Sequence, residues 1–135
     1  MVRTISGGCV CGRVGFTVED KFVYAGYCHC SSCRKSSGAS GTAIGGIPRE
    51  KFSVTKGSDY IKKFSRSKET VSCFCALCGS TLYGEKPVSG MLHVRYGALN
   101  SAPELLPQAH MHVSSKADWY EICDSLPQYS EFPPG

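Results

Sequence analysis

The sequence predicts a mainly β domain, a small domain built from short antiparallel strands around cysteine-bearing turns. Three observations support this prediction: many short runs of alternating apolar and polar residues, frequent glycines between these runs, and almost no long helical periodicity. The chain has 135 residues, of which 41% are hydrophobic and 19% charged, as expected for one globular domain with its own core. We predict a single domain over residues 1–124 and a surface tail without regular structure over residues 125–135.

The predicted elements follow one another closely along the chain. Residues 13–18 alternate and predict a strand, a turn follows at Glu19 and Asp20, and residues 21–27 return as a second strand. A short helical turn is expected at residues 34–37, before a glycine-rich strand or loop. That segment is residues 38–46, and the later predicted strands are 51–54, 60–64, 71–75, 80–83, 91–97 and 109–113, with a helical turn over 114–120.

The chain contains nine cysteines, and their clustering needs a chemical explanation. Eight of them form three groups: Cys9 and Cys11; Cys28, Cys30 and Cys33; Cys73, Cys75 and Cys78. An odd number and such short spacings argue against disulfides, because bridging neighbouring cysteines strains the bond. The start lacks the apolar core of a signal peptide, and no apolar run approaches a membrane span. We therefore expect a cytoplasmic, metal-binding protein that does not enter a membrane.

Residues 27–34, with the sequence Tyr-Cys-His-Cys-Ser-Ser-Cys-Arg, place three thiols in one turn. Two-residue spacing lets both sulfurs of a turn reach one tetrahedral ion, as in zinc knuckles. Cys28, Cys30 and Cys33 thus predict a zinc site with three protein ligands, and an open fourth position distinguishes catalytic from structural zinc. That position could belong to water, substrate, a histidine or Cys73, although we favour a small, half-buried role for Cys73.

A second, closed zinc site takes two thiols from each of two turns: Cys9, Cys11, Cys75 and Cys78. It would join the N-terminal hairpin to the second half of the chain across a long loop, so we interpret it as structural. His29 points away from its flanking thiols in an extended turn and is not counted as a ligand. We expect the isolated Cys123 to be a core thiol and Trp119 to be a core or rim side chain.

The formal charge of +4 overstates how basic the protein is. Two zinc ions held by seven thiolates would lower the net charge to about +1, because zinc ligands are deprotonated. No run of lysines or arginines is present. A nucleic-acid partner is therefore not expected on the basis of charge.

Five motifs resemble the glutathione-dependent formaldehyde-activating enzyme family, whose domain also occurs in centromere protein V. They are Gly-Gly-Cys-Val-Cys-Gly at 7–12, Cys-His-Cys-Ser-Ser-Cys-Arg-Lys-x-Ser-Gly at 28–38, Phe-Cys-Ala-Leu-Cys-Gly-Ser at 74–80, Val-Arg-Tyr-Gly-Ala-Leu at 94–99 and His-x-x-x-Ser-Ser-Lys-Ala-Asp-Trp at 110–119. The motifs run in family order over nearly the whole chain. Two positions depart from the family pattern: His112, where an aromatic residue is common, and the extra thiol Cys73.

The resemblance implies a small β fold of the Mss4-like type with two zinc ions. It implies that the four-cysteine group is structural and that the group at residues 28, 30 and 33 is catalytic. The implied activity is that of a carbon–sulfur lyase, which joins glutathione or a similar thiol to formaldehyde or another small aldehyde as S-(hydroxymethyl)glutathione or its counterpart. A fold alone does not fix the substrate, so the true thiol and aldehyde stay open.

Residues outside the cysteine groups are candidates for substrate contacts. Zinc among three thiolates is a weak Lewis acid, so we expect it to bind and position the thiol rather than to polarise the aldehyde. Arg34 and Lys35 could hold a substrate carboxylate, or could equally form a solvated basic turn. His110 and His112 lie on one face of the last strand if it is regular, and they could move a proton, although lone histidines are more often structural.

Two other hypotheses belong to different functional classes. The first is a non-catalytic zinc-stabilised module that binds protein or nucleic acid, which a long basic extension would favour, and the sequence has none. The second is a zinc-stabilised fold without a catalytic site. Two saturated four-cysteine sites would favour that hypothesis.

Overall fold

The computed structural model of the protein describes residues 2–132, which form two β-sheets, one short helix and connecting 3₁₀ turns. In chain order the elements are β1 (Thr4–Gly8), β2 (Gly15–Glu19), β3 (Tyr24–Cys28), α1 (Ser31–Ser37), β4 (Thr42–Pro48), β5 (Phe52–Lys56), β6 (Ile61–Ser65), β7 (Val71–Cys75), β8 (Thr81–Lys86), β9 (Met91–Arg95) and β10 (His110–Met111). The 3₁₀ turns are Arg49–Lys51, Ser58–Tyr60, Tyr96–Ala98 and Val113–Ser115. The predicted mainly β class is confirmed.

The strands divide into a small and a large sheet. The small sheet has the order β1-β2-β5, and the large sheet has the order β10-β3-β4-β9-β8-β7-β6. All neighbouring strands are antiparallel except β10 and β3, which are parallel. This topology places the cysteine-bearing ends of β3 and β7 in the same sheet.

The predicted hairpin of residues 13–18 and 21–27 is wrong, because β2 and β3 belong to different sheets. The chain leaves β2 through Asp20, a buried carboxylate rather than an exposed turn residue. The guanidinium of Arg3 donates to this carboxylate at 2.6 Å, and the backbone N–H of Glu104 donates to it at 3.0 Å. These contacts fix the crossing between the sheets, and neither can be deduced from local sequence.

Strand β1 was not predicted, because residues 7–12 were assigned to a turn and the sequence Thr-Ile-Ser-Gly-Gly has little strand propensity. It forms because it pairs over its whole length with β2, and Ile5 is buried in the core. The other predicted strands are present with bounds shifted by a few residues, and that at 71–75 coincides with β7.

The hydrophobic core lies between the two sheets. Phe16 and Val18 face it from the small sheet, and Leu92 and Val94 face it from β9 in the large sheet. Because successive side chains of a strand point to opposite faces, the intervening polar residues of β9 lie on the other face of the large sheet. No helix among the described residues is long and apolar enough to cross a membrane.

The predicted surface tail lies on the surface beside β10 and is hydrogen-bonded to it. The N–H of His110 donates to the carbonyl of Pro127 at 2.8 Å, and the N–H of Tyr129 donates to the carbonyl of His110 at 2.9 Å. The His112 N–H donates to the Glu131 carbonyl at 2.8 Å. Apart from one bridge at Gln128 the tail has no regular structure, and its last three residues lie outside those described.

Gly41, directly before β4, lies against the carbonyl of Cys28. A Cβ at this position would lie 2.5 Å from that oxygen, so we expect Gly41→Ala to push β4 away from β3 and destabilise the protein by about 1–3 kcal/mol. Gly97→Ala is the matched control, because its Cβ would have no neighbour within 4 Å. Urea unfolding measures both variants, and equal midpoints for the two would contradict the packing described for β3 and β4.

Candidate functional site

Cys28, Cys30 and Cys33 form one cluster, because β3 ends at the first and α1 begins between the second and third. Their sulfur atoms all lie within 4.8 Å of one another, and those of Cys28 and Cys30 are 3.5 Å apart. The N–H of Cys33 donates to the sulfur of Cys30 at 3.3 Å and caps the helix. Cys28 is 9% exposed and Cys33 is 6% exposed, so the cluster is largely shielded from solvent.

The three thiols of this cluster cannot all ionise independently. Hydrogen bonds from Cys28 and Cys30 hold the pKa of Cys33 far below its ordinary value. Hydrogen bonds with Cys30 and Cys33 raise the pKa of Cys28 far above its ordinary value, and burial adds to the effect. Two thiolates about 4 Å apart repel by about 4 kcal/mol in partly buried protein, so full deprotonation of the cluster requires a cation.

A second cluster has four members: Cys9, Cys11, Cys75 and Cys78. All four sulfurs lie within 4.8 Å of one another, with Cys9 and Cys11 3.6 Å apart and Cys11 and Cys75 3.8 Å apart. Four ligands at 2.3 Å from a tetrahedral zinc would be about 3.8 Å from each other. Both cysteine clusters could therefore hold a metal ion, and the donor sets and separations fit zinc.

The four-cysteine cluster joins two turns of similar geometry. Gly12 and Gly79 have φ of 78° and 79°, and each donates its N–H back to the first cysteine of its turn, Cys9 and Cys75 respectively. Hydrogen bonds from the hydroxyl and N–H of Ser80 lower the pKa of Cys78 to about 5. The turns around residues 9–12 and 75–79 thus meet as the sequence analysis expected.

Cys73 lies apart from both clusters. Its side chain is 0% exposed, belongs to the core between the sheets, and has a pKa that burial raises to about 11. Among residues 2–132 no fourth Cys, His, Asp or Glu ligand atom lies within 4.8 Å of all three sulfurs of Cys28, Cys30 and Cys33. Cys73 was predicted to be half-buried, but its side chain is fully buried. The reason is that the side chains at positions 73 and 75 of β7 both face the core.

The structure places Cys123 and Trp119, near the C-terminus, at the surface. Cys123 is exposed and is not a core thiol. Trp119 is 73% exposed and packs edge-on against Tyr120, so it is not a core side chain. The ring of Tyr120 instead stacks on that of His29. Residues 117–126 of the described chain contain no strand.

A cavity of about 230 Å³ opens beside the three-cysteine cluster, on the face of the large sheet opposite the core. Its floor includes Ile44, Gly84 and His93, from three adjacent strands. Apolar side chains of Met111 and Phe132 line another side. The three sulfurs therefore face a space that a small molecule can enter.

Three cations line this cavity, and the sequence analysis assigned none of them a role: Arg66, Lys86 and Arg95. Nη1 of Arg66 is 4.0 Å from the sulfur of Cys33. Burial lowers the pKa of both Lys86 and Arg95, and repulsion from Arg66 adds to it. The alternation of β9 could have indicated Arg95, whereas isolated basic residues near turns gave no signal for the other two.

His93 is a further cavity residue that sequence reasoning missed. Its Nε2 is 2.6 Å from the hydroxyl of Tyr24, which crosses β4 to reach it. Burial, and then the charge of Lys86, lowers the pKa of His93 to about 4. His93 is therefore a neutral imidazole near pH 7.

The predicted substrate residues Arg34 and Lys35 lie outside this cavity. Nε of Arg34 donates to the carbonyl of Ser115 at 3.2 Å, which ties α1 to the C-terminal part of the chain. Lys35 is exposed on the helix. Of the two alternatives for this basic pair, the geometry favours a structural and solvated role.

His110 and His112 do not lie on one face of a strand. β10 ends at Met111, and His112 takes a left-handed backbone with φ of 56°, which turns its side chain towards the cavity and the ring of Phe132. His110 is buried on the other side of β3, where its Nδ1 is 2.8 Å from Nε2 of His29. Nε2 of His110 is 3.0 Å from the carboxylate of Asp124, so the two buried imidazoles and the carboxylate form a continuous hydrogen-bonded chain.

The family model described as glutathione-dependent formaldehyde-activating enzyme matches residues 4–115. Proteins of Halomonas elongata, Fusarium vanettenii and Aspergillus flavus, each provisionally given that name, are 29%, 31% and 25% identical over 87%, 94% and 92% of this chain. The chain spans 80% of the first relative, but only 62% and 58% of the other two.

A solved structure supports the fold. The crystal structure of a Rhodobacter sphaeroides protein, determined as a structural genomics target, superposes with a TM-score of 0.61 at 19% identity. The match covers 73% of this chain and 91% of that chain. At this identity the likeness concerns the fold alone.

Loss of the His110 side chain would leave the buried Nε2 of His29 without its partner. We expect His110→Ala to destabilise the protein by about 1–3 kcal/mol, the cost of an unpaired buried polar group. His112→Asn is the control, since asparagine tolerates the left-handed backbone, and should change stability by less than about 0.5 kcal/mol. Urea unfolding of the metal-loaded protein compares them, and an equal loss in both would show that the buried pair contributes nothing.

Proposed function

The chain belongs to the glutathione-dependent formaldehyde-activating enzyme family, and from this membership we propose that it is a zinc-dependent enzyme of carbon–sulfur bond chemistry. It joins a thiol, glutathione or a similar one, to formaldehyde or another small aldehyde. A carbon–sulfur bond forms at the carbonyl carbon, and the thiol proton ends on the carbonyl oxygen, as in S-(hydroxymethyl)glutathione. The observation that supports this most strongly is a three-sulfur cluster facing a cavity.

Zinc is the metal that fits both cysteine clusters, because sulfur-only donor sets at tetrahedral separations are typical of it. Cys9, Cys11, Cys75 and Cys78 would hold a structural ion with all four positions filled. Cys28, Cys30 and Cys33 would hold the catalytic ion. When bound there, zinc supplies a positive centre that stabilises a thiolate, which is the reactive form of the substrate thiol.

The side chains around the cluster position the thiol and the aldehyde and exclude water. Three thiolates donate charge to the metal position, which disfavours aldehyde polarisation and favours binding of the thiol. With a pKa near 4, His93 is a poor base, so we assign its neutral imidazole a role in hydrogen-bonding the substrate rather than in removing the thiol proton. Ile44, Met111 and Phe132 limit the access of water to the reacting atoms.

The alternatives receive less support. A non-catalytic fold would be favoured by two saturated four-cysteine sites, and Cys73, the thiol available to complete the second, is buried in the core. A nucleic-acid-binding module needs an exposed basic surface, whereas Arg66, Lys86 and Arg95 face a cavity. Cysteines grouped as metal ligands rather than as disulfides are typical of a reducing compartment such as the cytoplasm, which we propose for this protein.

Cys30→Ser separates catalysis from folding. We expect this variant to keep its fold and one zinc ion per chain while losing the second ion, because only the three-sulfur cluster is damaged. Formation of the glutathione–formaldehyde adduct should fall to the spontaneous rate. Metal analysis by mass spectrometry and an adduct assay corrected for the uncatalysed reaction measure the two effects, and full activity in Cys30→Ser would exclude a catalytic role for the cluster.

Cys75→Ser should instead unfold the protein. Structural zinc binding contributes about 10–16 kcal/mol, which is comparable to the whole stability of a domain. Cys123→Ser is the control, because this exposed thiol belongs to neither cluster and should keep both ions and full activity. Circular dichroism and metal content distinguish the variants, and a folded Cys75→Ser protein with both ions would contradict the assignment of the four-cysteine site.

A further inference from the structure

The cations of the cavity lack acidic partners. Among residues 2–132, the ion pairs are those of Arg3 with Asp20, Arg49 and Lys63 with Glu85, and His110 with Asp124. Nζ of Lys86 donates only to the hydroxyl of Thr70, at 2.6 Å, and Nη2 of Arg95 donates to the hydroxyl of Ser36, at 3.1 Å. Both cations therefore have neutral partners.

Strand β8 shows how the fold separates these charges. Glu85 and Lys86 are adjacent, so their side chains point to opposite faces of the sheet. Glu85 pairs with Arg49 and Lys63 on one side, and Lys86 faces the cavity on the other without an acid. The acid that could have neutralised Lys86 is thus directed away from the cavity.

Arg66, the third cation of the cavity, has a buried donor without a partner among the described residues. Its backbone N–H donates to the carbonyl of Thr70 at 2.9 Å, which holds the β6–β7 turn and aims the side chain at the cluster. Nε of Arg66 is buried and has no hydrogen-bond partner among the described residues. A buried donor without an acceptor is unfavourable, so an acceptor supplied by a ligand would stabilise this position.

The cavity has an excess of positive charge. Glu69 is the single acid that lines it and is exposed, against three half-buried cations. A zinc ion among three thiolates would contribute only one negative charge in total. An anionic ligand would restore the balance beside the sulfur cluster.

We propose that Arg66, Lys86 and Arg95 form a carboxylate subsite, which makes this protein selective for acidic thiols. The inference rests on the proposed function and names the chemical class of its thiol. Arginine presents donors in a planar fork that matches a carboxylate, and the unpartnered Nε belongs to such a fork. Because Nη1 of Arg66 is 4.0 Å from the sulfur of Cys33, a carboxylate held there lies beside the three-cysteine cluster, where the substrate thiol would bind.

This subsite replaces the pair Arg34 and Lys35 as the proposed carboxylate contact. Arg34 is engaged by the Ser115 carbonyl, and neither residue of the pair lines the cavity. Glutathione, the thiol in the family name, has two carboxylates, so it fits the class without being its only member.

The test combines variants that remove one positive charge with a thiol whose carboxylates are esterified. Arg66→Gln and Lys86→Gln are compared with Arg49→Gln and Lys63→Gln, whose cations lie outside the cavity in ion pairs with Glu85. Each zinc-loaded protein is titrated calorimetrically with glutathione and with glutathione diethyl ester, and KM and kcat are measured with formaldehyde. Zinc content and unfolding midpoint verify that each variant is folded.

We expect the cavity variants to weaken glutathione binding and raise its KM by about 10- to 100-fold, with two zinc ions retained. The outer controls should match wild type. The diethyl ester should bind wild type more weakly than glutathione does, and Arg66→Gln should distinguish the two thiols less than wild type does. The ester comparison in wild type needs no mutation, so it decides the question even if a variant fails to fold.

Equal affinity of wild type for glutathione and its ester would overturn the subsite, even if the adduct assay showed full activity. A different result would overturn the proposed function. If no thiol and aldehyde react above the spontaneous rate while glutathione still binds in a manner dependent on Arg66, the subsite stands and the reaction does not. Calorimetry and kinetics therefore report on the two proposals independently.

Discussion

Repulsion between neighbouring sulfurs is the constraint on which the rest of the structure depends. Seven cysteines lie in two clusters, and within each cluster all sulfur atoms are within 4.8 Å of one another. Thiolates this close repel by about 4 kcal/mol per pair, so each cluster is stable in its deprotonated form only around a cation. A single turn supplies the three-cysteine cluster, whereas the fold must bring two distant turns together at the four-cysteine cluster. The four-cysteine cluster joins residues 9–11 to residues 75–78, and this contact connects the first turn of the chain to the end of β7 in the large sheet.

One face of the large sheet belongs to the core, and the other borders the cavity. One face packs Leu92 and Val94 against the small sheet and provides the apolar burial that stabilises the fold. The other presents His93 and Arg95 from the same strand to a cavity beside the three-cysteine cluster. Because the side chains of a strand alternate, the residues that stabilise the sheet and those that serve the site are adjacent in sequence. Substitutions in β9 will therefore separate cleanly into effects on stability and effects on the site.

Many of the strands and the grouping of the cysteines could be predicted from the sequence, because both depend on local patterns. The spacing of cysteines indicated both clusters, and the alternation of residues 71–75 gave β7. Strand β1 was missed because its glycines have low propensity and only pairing with β2 stabilises it. The route from β2 to β3 depends on Asp20 binding Arg3, a contact between segments that no local pattern specifies.

The candidate site was predicted less completely than the fold. Arg66, Lys86 and Arg95 come from three separate elements and meet only in the folded chain. The divergence of His110 and His112 follows from one positive φ at residue 112, which a period-two pattern cannot show. Local sequence thus identified the clustered cysteines, while long-range packing brings together the residues that surround them in the cavity.

Selenium X-ray absorption tests most directly whether a substrate thiol joins the three-cysteine cluster. The zinc-loaded protein is mixed anaerobically with the selenol analogue of glutathione, so that the spectrum at the selenium edge reports only the atoms around the ligand. We predict a zinc atom at bonding distance from selenium in wild type, and its loss in Cys30→Ser, which keeps the four-cysteine site. A selenium atom with carbon as its only bonded neighbour in the saturated wild-type protein would contradict the central claim.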